Sequence, residues 1–216
     1  MSHFVVYVFT KEDGRDYEQV LAPYDENMIV APYIKYTKAQ AIASVREEIE
    51  RYKNSTYAEY LADPKAYEEQ HTNERHIKYL KEEFPKKLEL TDEQCFEEKK
   101  IWFEDDMIDE EGNLWSTYNP NSKWDWYTVG GRWDKCLKAK VGFNVNTGYV
   151  RHIDWKNTES PFAFIDPMGK WHESGDMGWW GIVCDPKPVD EWERIWKQFI
   201  EQLDGDLIVT AVDCHI

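Results

Sequence analysis

The chain has 216 residues with 26 Lys and Arg against 42 Asp and Glu, and its formal charge of −16 repels phosphate chains, which excludes broad coating of DNA or RNA. Hydrophobic residues at 42%, with 9 Pro and 11 Gly, exclude a disordered or low-complexity chain, and the length suits one domain, 1–216. Composition leaves one oddity to explain, the eleven Trp.

MSHFVVYVFT carries no basic leader, and the apolar run from Phe4 to Phe9 is too short for a signal-peptide core. No window approaches the roughly 20 apolar residues of a membrane span. Cys95, Cys136, Cys184 and Cys214 are scattered without a CxxC pair, which fits free thiols in a reducing cytoplasm and no membrane partner.

In chain order, His3 to Phe9 is β-branched and aromatic on both alternating faces, the pattern of a buried central strand. Residues 10–36 give no clear signal. Thr37 and Gln40 have capping-box spacing ahead of Ala39, Ile42, Val45, Ile49 and Tyr52, which predicts a helix over about 38–53. Asp63-Pro64 predicts a second helix to about Phe84, and Thr91 with Gln94 a third through Phe103. From 114 onward, WDWYTV, KAKVGFNV and FAFI alternate with turn signals and predict an antiparallel meander. Trp192, Ile195, Trp196, Phe199 and Leu203 form the apolar stripe of a helix stopped by Gly205, and a strand over 207–216 closes the chain. The predicted fold is therefore α+β. Its mainly antiparallel sheet contains the first and last strands, helices lie on one face, and an acidic helical insertion over about 37–110 packs alongside.

Charge and indole are unevenly placed. Through Asn113 there are 15 Lys and Arg against 27 Asp and Glu, whereas residues 116–151 reverse sign, with Lys123, Arg132, Lys135, Lys138, Lys140 and Arg151 facing only Asp125 and Asp134. All eleven Trp fall between Trp102 and Trp196, and three sit in that basic segment.

Two stretches carry candidate chemistry. In NPNSKWDWYTVGGRW, strand alternation puts Trp124, Trp126 and Thr128 on one face and Asp125 on the other, and Gly130-Gly131 allows a tight turn that delivers Arg132 beside Trp133. Indole faces, exposed amides and a guanidinium suit a planar base attached to phosphate, with Lys123 and Arg132 as phosphate holders. Spacing alone slightly favours the competing reading, a Trp-rich hairpin core with Arg132 in a carboxylate salt bridge. In the last strand, Leu207, Val209, Ala211, Asp213 and His215 share a face, so an apolar stripe ends in an acid and an imidazole, with Asp213 placed to orient His215. If the terminal strands are antiparallel neighbours, His3 meets His215, and two imidazoles suffice for metal-independent phosphodiester cleavage. Ordinary strand-end histidines are the competing reading. His152 with Asp154 and His172 with Glu173 lack further ligands at metal spacing, and no Walker A, GxSxG or HExxH word occurs, so neither metal nor cofactor is expected. The aromatic-glycine word at Met177 to Gly181 reads as core or as a stacking surface. EDDMIDEE at 104–111 is an acidic loop that could also mimic phosphates toward a basic partner.

MSHF, NPNSKWDWYTVGGRW, MGWWGIV and VDCHI together resemble a family of largely uncharacterised bacteriophage and prophage proteins. The resemblance implies a viral protein acting in the cytoplasm of a bacterial host, in a setting where compact proteins are often directed against host defence. It lends no residue a role. Joined to the site reading, it suggests an anti-defence protein that captures a small (cyclic) nucleotide signal and is a candidate to cleave it as a phosphodiesterase. His3, His215 and Asp213 would be the catalytic set, and Arg132, Lys123, Trp124, Trp126, Trp133, Gly130 and Gly131 would bind the ligand. The alternatives are a non-catalytic nucleotide sponge and an acidic inhibitor of a basic host defence protein. The expected partners are thus a small nucleotide rather than a polymer, with a host protein or a second copy of the chain as further candidates.

Overall fold

The structure is a computed structural model that describes residues 2–178 and 182–216. The chain folds as two compact units, one formed by Met1–Val30 with Tyr118–Ile216 and the other by Ala31–Thr117. No helix among the described residues is long and apolar enough to cross a membrane.

In chain order the elements are β1 (His3–Thr10), α1 (Tyr17–Leu21), β2 (Ile29–Tyr36), α2 (Lys38–Tyr52), α3 (Ala58–Ala62), α4 (Pro64–Gln70), α5 (Glu74–Lys78), α6 (Phe84–Lys87) and α7 (Asp92–Lys100). They continue with β3 (Leu114–Tyr118), β4 (Trp126–Val129), β5 (Thr147–Tyr149), β6 (Ala163–Ile165), β7 (Trp171–Glu173), β8 (Asp176–Met177), β9 (Val183–Cys184), α8 (Val189–Glu201) and β10 (Ile208–His215).

The fold is α+β, and its main sheet is mostly antiparallel with the first and last strands at its centre. Strand order is β4-β10-β1-β6-β7, and β5 pairs with β10 beyond the end of β4. β1 and β10 run antiparallel over their full length, His3 opposite His215 and Thr10 opposite Ile208. Both strands are apolar on both faces because each face is covered. On one, Val5, Tyr7, Phe9, Val209 and Ala211 meet Trp192 and Trp196 of α8, with Ile195, Phe199 and Leu203 packed at the margin. On the other, Phe4, Val6, Val8, Val212 and Cys214 meet Val20 and Leu21 of α1 and the Trp124 ring. Helices therefore cover both faces, not one as the sequence predicts; α1 arises in the stretch 10–36, where Asp16 and Gln19 make a reciprocal capping box.

Two further expectations change. FAFI becomes β6, but it pairs in parallel with β1 through Val6–Ala163 and Val8–Ile165, so the sheet is mixed rather than a plain meander. KAKVGFNV forms no strand. Its β-type pairing is limited to isolated bridges, Leu137 with Val145 and Ala139 with Ile153, and Val141 and Phe143 stand 92% exposed around Gly142 at φ +88°. Leu137 just before this stretch and, in part, Val145 at its end reach the core, whereas Val141 and Phe143 between them have nothing to pack on.

In the unit Ala31–Thr117, β2 and β3 form a two-stranded sheet. Both predicted capping boxes, Thr37 with Gln40 and Thr91 with Gln94, start helices, α2 and α7. These helices close over Ala41, Phe96 and Leu114 and carry the ion pairs Arg46–Asp92 (2.7 Å) and Lys38–Glu93 (3.1 Å). The single helix expected from 63 to 84 is broken at residues 71–73, because Asn73 caps a new start by accepting from the His76 amide at 3.2 Å.

Candidate functional site

The inner stripe of β1 reads Phe9, Tyr7, Val5 and then His3, and that of β10 reads Val209, Ala211, Asp213 and then His215. Each is apolar until its last residues. Antiparallel pairing brings the two polar ends together at one edge of the core under α8. The His3 and His215 rings lie 5.1 Å apart, edge to face. Both side chains are 8% exposed.

Each imidazole has its own carboxylate. His3 Nδ1 lies 2.8 Å from Asp213 Oδ1, and the other oxygen of Asp213 accepts the Arg132 backbone N–H at 2.9 Å. Asp213 is 2% exposed, so both of its oxygens are paired, as a buried carboxylate requires. His215 Nδ1 lies 2.7 Å from Asp125 Oδ1, and the Asp125 backbone N–H donates to the His215 carbonyl at 2.9 Å. With Nδ1–H donated to a carboxylate, the His215 Nε2 is the proton-accepting atom. That nitrogen is buried and has no hydrogen-bond partner among the described residues. The Trp126 indole lies nearly flat on the His215 ring, at 5.0 Å and 18°, and edge-on to His3 at 5.3 Å, yet is itself 44% exposed.

This arrangement alters the expected roles. Asp213 serves His3 and not His215. Residues two apart on one strand face point the same way, whereas the diagonal neighbour across the strand pair comes within reach. Asp125, expected on the opposite face from Trp126, is the partner of His215. β4 begins only at Trp126, and residues 124 and 125 bend away from strand alternation as Trp124 bridges to Asp25. The same bend sends Trp124 to the opposite face, where it is 6% exposed, donates Nε1–H to the Leu21 carbonyl at 3.3 Å and stands edge-on to Tyr127. Lys123 is also committed elsewhere, to Glu173 at 2.7 Å and Asp176 at 3.0 Å. Burial alone would lower its pKa, but these two carboxylates outweigh it and raise the ammonium above its ordinary value. Trp133 packs partly buried on the core cluster below α8. Of the expected ligand holders, Trp126 lies against the two histidines and Gly131 and the Arg132 amide lie against Asp213, whereas Gly130 packs on Asn146 and bonds the Ala211 carbonyl. The Arg132 side chain is exposed, with no ion pair among the described residues.

The glycine turn is built against the carboxylate. Gly130 (φ +76°) and Gly131 (φ +51°) both adopt left-handed backbone, and a Cβ on Gly131 would collide with the carboxylate and Cβ of Asp213. This turn aims the Arg132 amide at Asp213. Gly131→Ala is expected to cost about 2–3 kcal/mol, from the left-handed conformation and the disturbed Asp213 hydrogen bonds. A urea midpoint equal to that of the parent would show the turn is not held as described.

The remaining histidine–acid neighbours do not assemble a metal centre. His172 stacks on Phe164 at 4.6 Å and pairs with Asp166 at 2.9 Å, and no cluster of three or more His, Cys, Asp or Glu among the described residues is placed to hold a metal ion. Asp166 is pushed up by burial but pulled further down by His172 and the Lys170 and Met168 amides, and ends below the usual carboxylate range. Burial, reinforced by the adjacent Asp213 charge, pushes the Cys214 thiol well up, so it behaves as a core side chain. Trp179, Trp180 and Gly181 of the aromatic-glycine word lie outside the described residues. No protein-family model, curated protein or solved structure matches the chain.

Proposed function

We propose that this protein captures a small nucleotide at the His3–His215 end of its sheet and cleaves a phosphodiester bond in it by acid–base chemistry between the two imidazoles. The observation that carries this reading is the pair of histidine–carboxylate dyads, with rings 5.1 Å apart and the Nε2 of His215 buried without a partner. An unmet buried acceptor costs about 1–3 kcal/mol, and a substrate hydroxyl donating to it removes that cost. His215 is therefore assigned as the base, with Asp125 holding its tautomer. His3, held through Nδ1 by the buried Asp213, is assigned as the acid. The exposed face of Trp126 suits a nucleobase, and the Arg132 guanidinium suits the phosphate. The resemblance to phage proteins supplies the context, a host-defence nucleotide signal as ligand.

A second reading, a sponge that holds the nucleotide uncleaved, draws on Trp126 lying flat across His215, which leaves the indole better exposed than the imidazole beneath it. Incubating the protein with cyclic di- and trinucleotides and chromatographing the products separates the two. Consumed ligand supports cleavage, and intact ligand released by heat denaturation supports the sponge. If no nucleotide binds, both readings fail and the acidic surface toward a basic host protein takes their place. Arg132→Ala is expected to weaken nucleotide binding by about 1–3 kcal/mol in a titration, with thermal stability unchanged. Unchanged affinity would remove Arg132 from the site.

A further inference from the structure

We infer that the substrate is a ribonucleotide diester with a free 2′-hydroxyl beside a 3′-linked phosphate, and that phosphorus is transferred to this hydroxyl and not to water. The inference rests on the reading just proposed and narrows it.

Three features of the histidine pair lead to it. The first is charge. Asp125 and Asp213 put two carboxylates against the imidazoles, and Lys123 is spent on Glu173 and Asp176, while Arg132, whose backbone amide is bound to Asp213, carries an exposed guanidinium with no ion pair among the described residues. Such a site accepts a singly charged diester far better than a doubly charged monoester. Hydrolysis ends in a monoester, whereas transfer to a neighbouring hydroxyl keeps one negative charge on the phosphate from substrate to product. The second is burial. With both imidazoles only 8% exposed, a nucleophile that enters as part of the substrate is already positioned, and intramolecular delivery of this kind is worth several powers of ten in rate. The third is adjacency. Ring centroids 5.1 Å apart put the two imidazoles within the span of the substituents of a single phosphorus.

The step balances without a co-reactant. His215 Nε2 takes the proton of the 2′-hydroxyl, the O2′–P bond forms, and the P–O5′ bond breaks with its electron pair remaining on O5′. That oxygen receives the Nε2 proton of His3. The products are a 2′,3′-cyclic phosphate end and a 5′-hydroxyl end, and the two histidines have exchanged protonation states.

The probes are 3′–5′-linked cyclic diadenylate and its 2′-deoxy counterpart, followed by chromatography with mass detection at early times on the unaltered protein. The ribose ring is expected to open to a linear isomer of unchanged mass bearing a 2′,3′-cyclic phosphate, with the deoxy ring cut at least about 100-fold more slowly. His215→Gln, checked for an unchanged urea midpoint, is expected to lose about 100- to 10,000-fold in turnover. A first product heavier by one water, or equal cutting of the deoxy ring, overturns the 2′-hydroxyl inference and leaves the phosphodiesterase reading standing. Failure to cut either ring, a cyclic trinucleotide or a linear ribodinucleotide overturns both.

Discussion

Asp213→Ala is expected to destabilise the protein by about 3–5 kcal/mol, the cost of stripping one partner from a buried charged pair. Asp213 is 2% exposed and serves two donors at once, the His3 ring at 2.8 Å and the Arg132 amide at 2.9 Å. Its removal leaves both donors without their acceptor at a position where the carboxylate and the His3 ring are largely buried, and each unmet buried donor costs about 1–3 kcal/mol. Asp213→Asn keeps one acceptor oxygen and nearly the same volume, so its penalty should be clearly smaller. Urea titrations of the three proteins measure the series. An alanine variant within about 1 kcal/mol of the parent would mean that the carboxylate is not the bridge between β1, β10 and the glycine turn.

The second large effect is expected at Trp196. This ring is 6% exposed and sits among Tyr7 (5.7 Å), Phe164 (5.5 Å) and Trp155 (5.8 Å), between α8 and the two central strands. Trp196→Ala removes a large side chain from a close-packed cluster that cannot collapse around the void, because β1 and β10 are held by pairing along their whole length. The expected loss is about 3–5 kcal/mol in urea or thermal unfolding. Trp196→Phe, which retains an aromatic ring, should lose much less. Equal losses for the two would assign the effect to something other than lost volume.

These two residues mark how far the sequence could be followed. Trp196 was legible because i, i+3 and i+4 spacing from Trp192 to Phe199 puts the apolar residues on one helix face wherever that helix docks. The capping boxes at Thr37 and Thr91 were legible for the same reason: their hydrogen bonds close within four residues. The strand character of residues 3–9 and 207–216 was equally plain. The pairing of His3 with Asp213 was not, since spacing along one strand says which residues share a face but nothing of which neighbour across the sheet is nearest. Asp125 was the residue missed outright. Its alternation with Trp126 and Trp124 pointed it the wrong way, and only the bend before β4, set by the bridge from Trp124 to Asp25, turns its carboxylate to His215. No local signal announces a bend that depends on a partner about a hundred residues away.

By itself, then, the sequence determined the α+β class, the central place of the terminal strands, the helix starts at Thr37, Asp63 and Thr91 and the position of the glycine turn, because each follows from periodicity, burial pattern or a hydrogen bond made close by in the chain. Tertiary structure alone decided that β6 runs parallel to β1, that Trp124 and Lys123 leave the neighbourhood of Trp126, and that two histidines 212 positions apart each acquire a separate carboxylate. Those outcomes depend on register and on which face a strand end presents, quantities fixed by long-range packing rather than by any residue's neighbours in the chain.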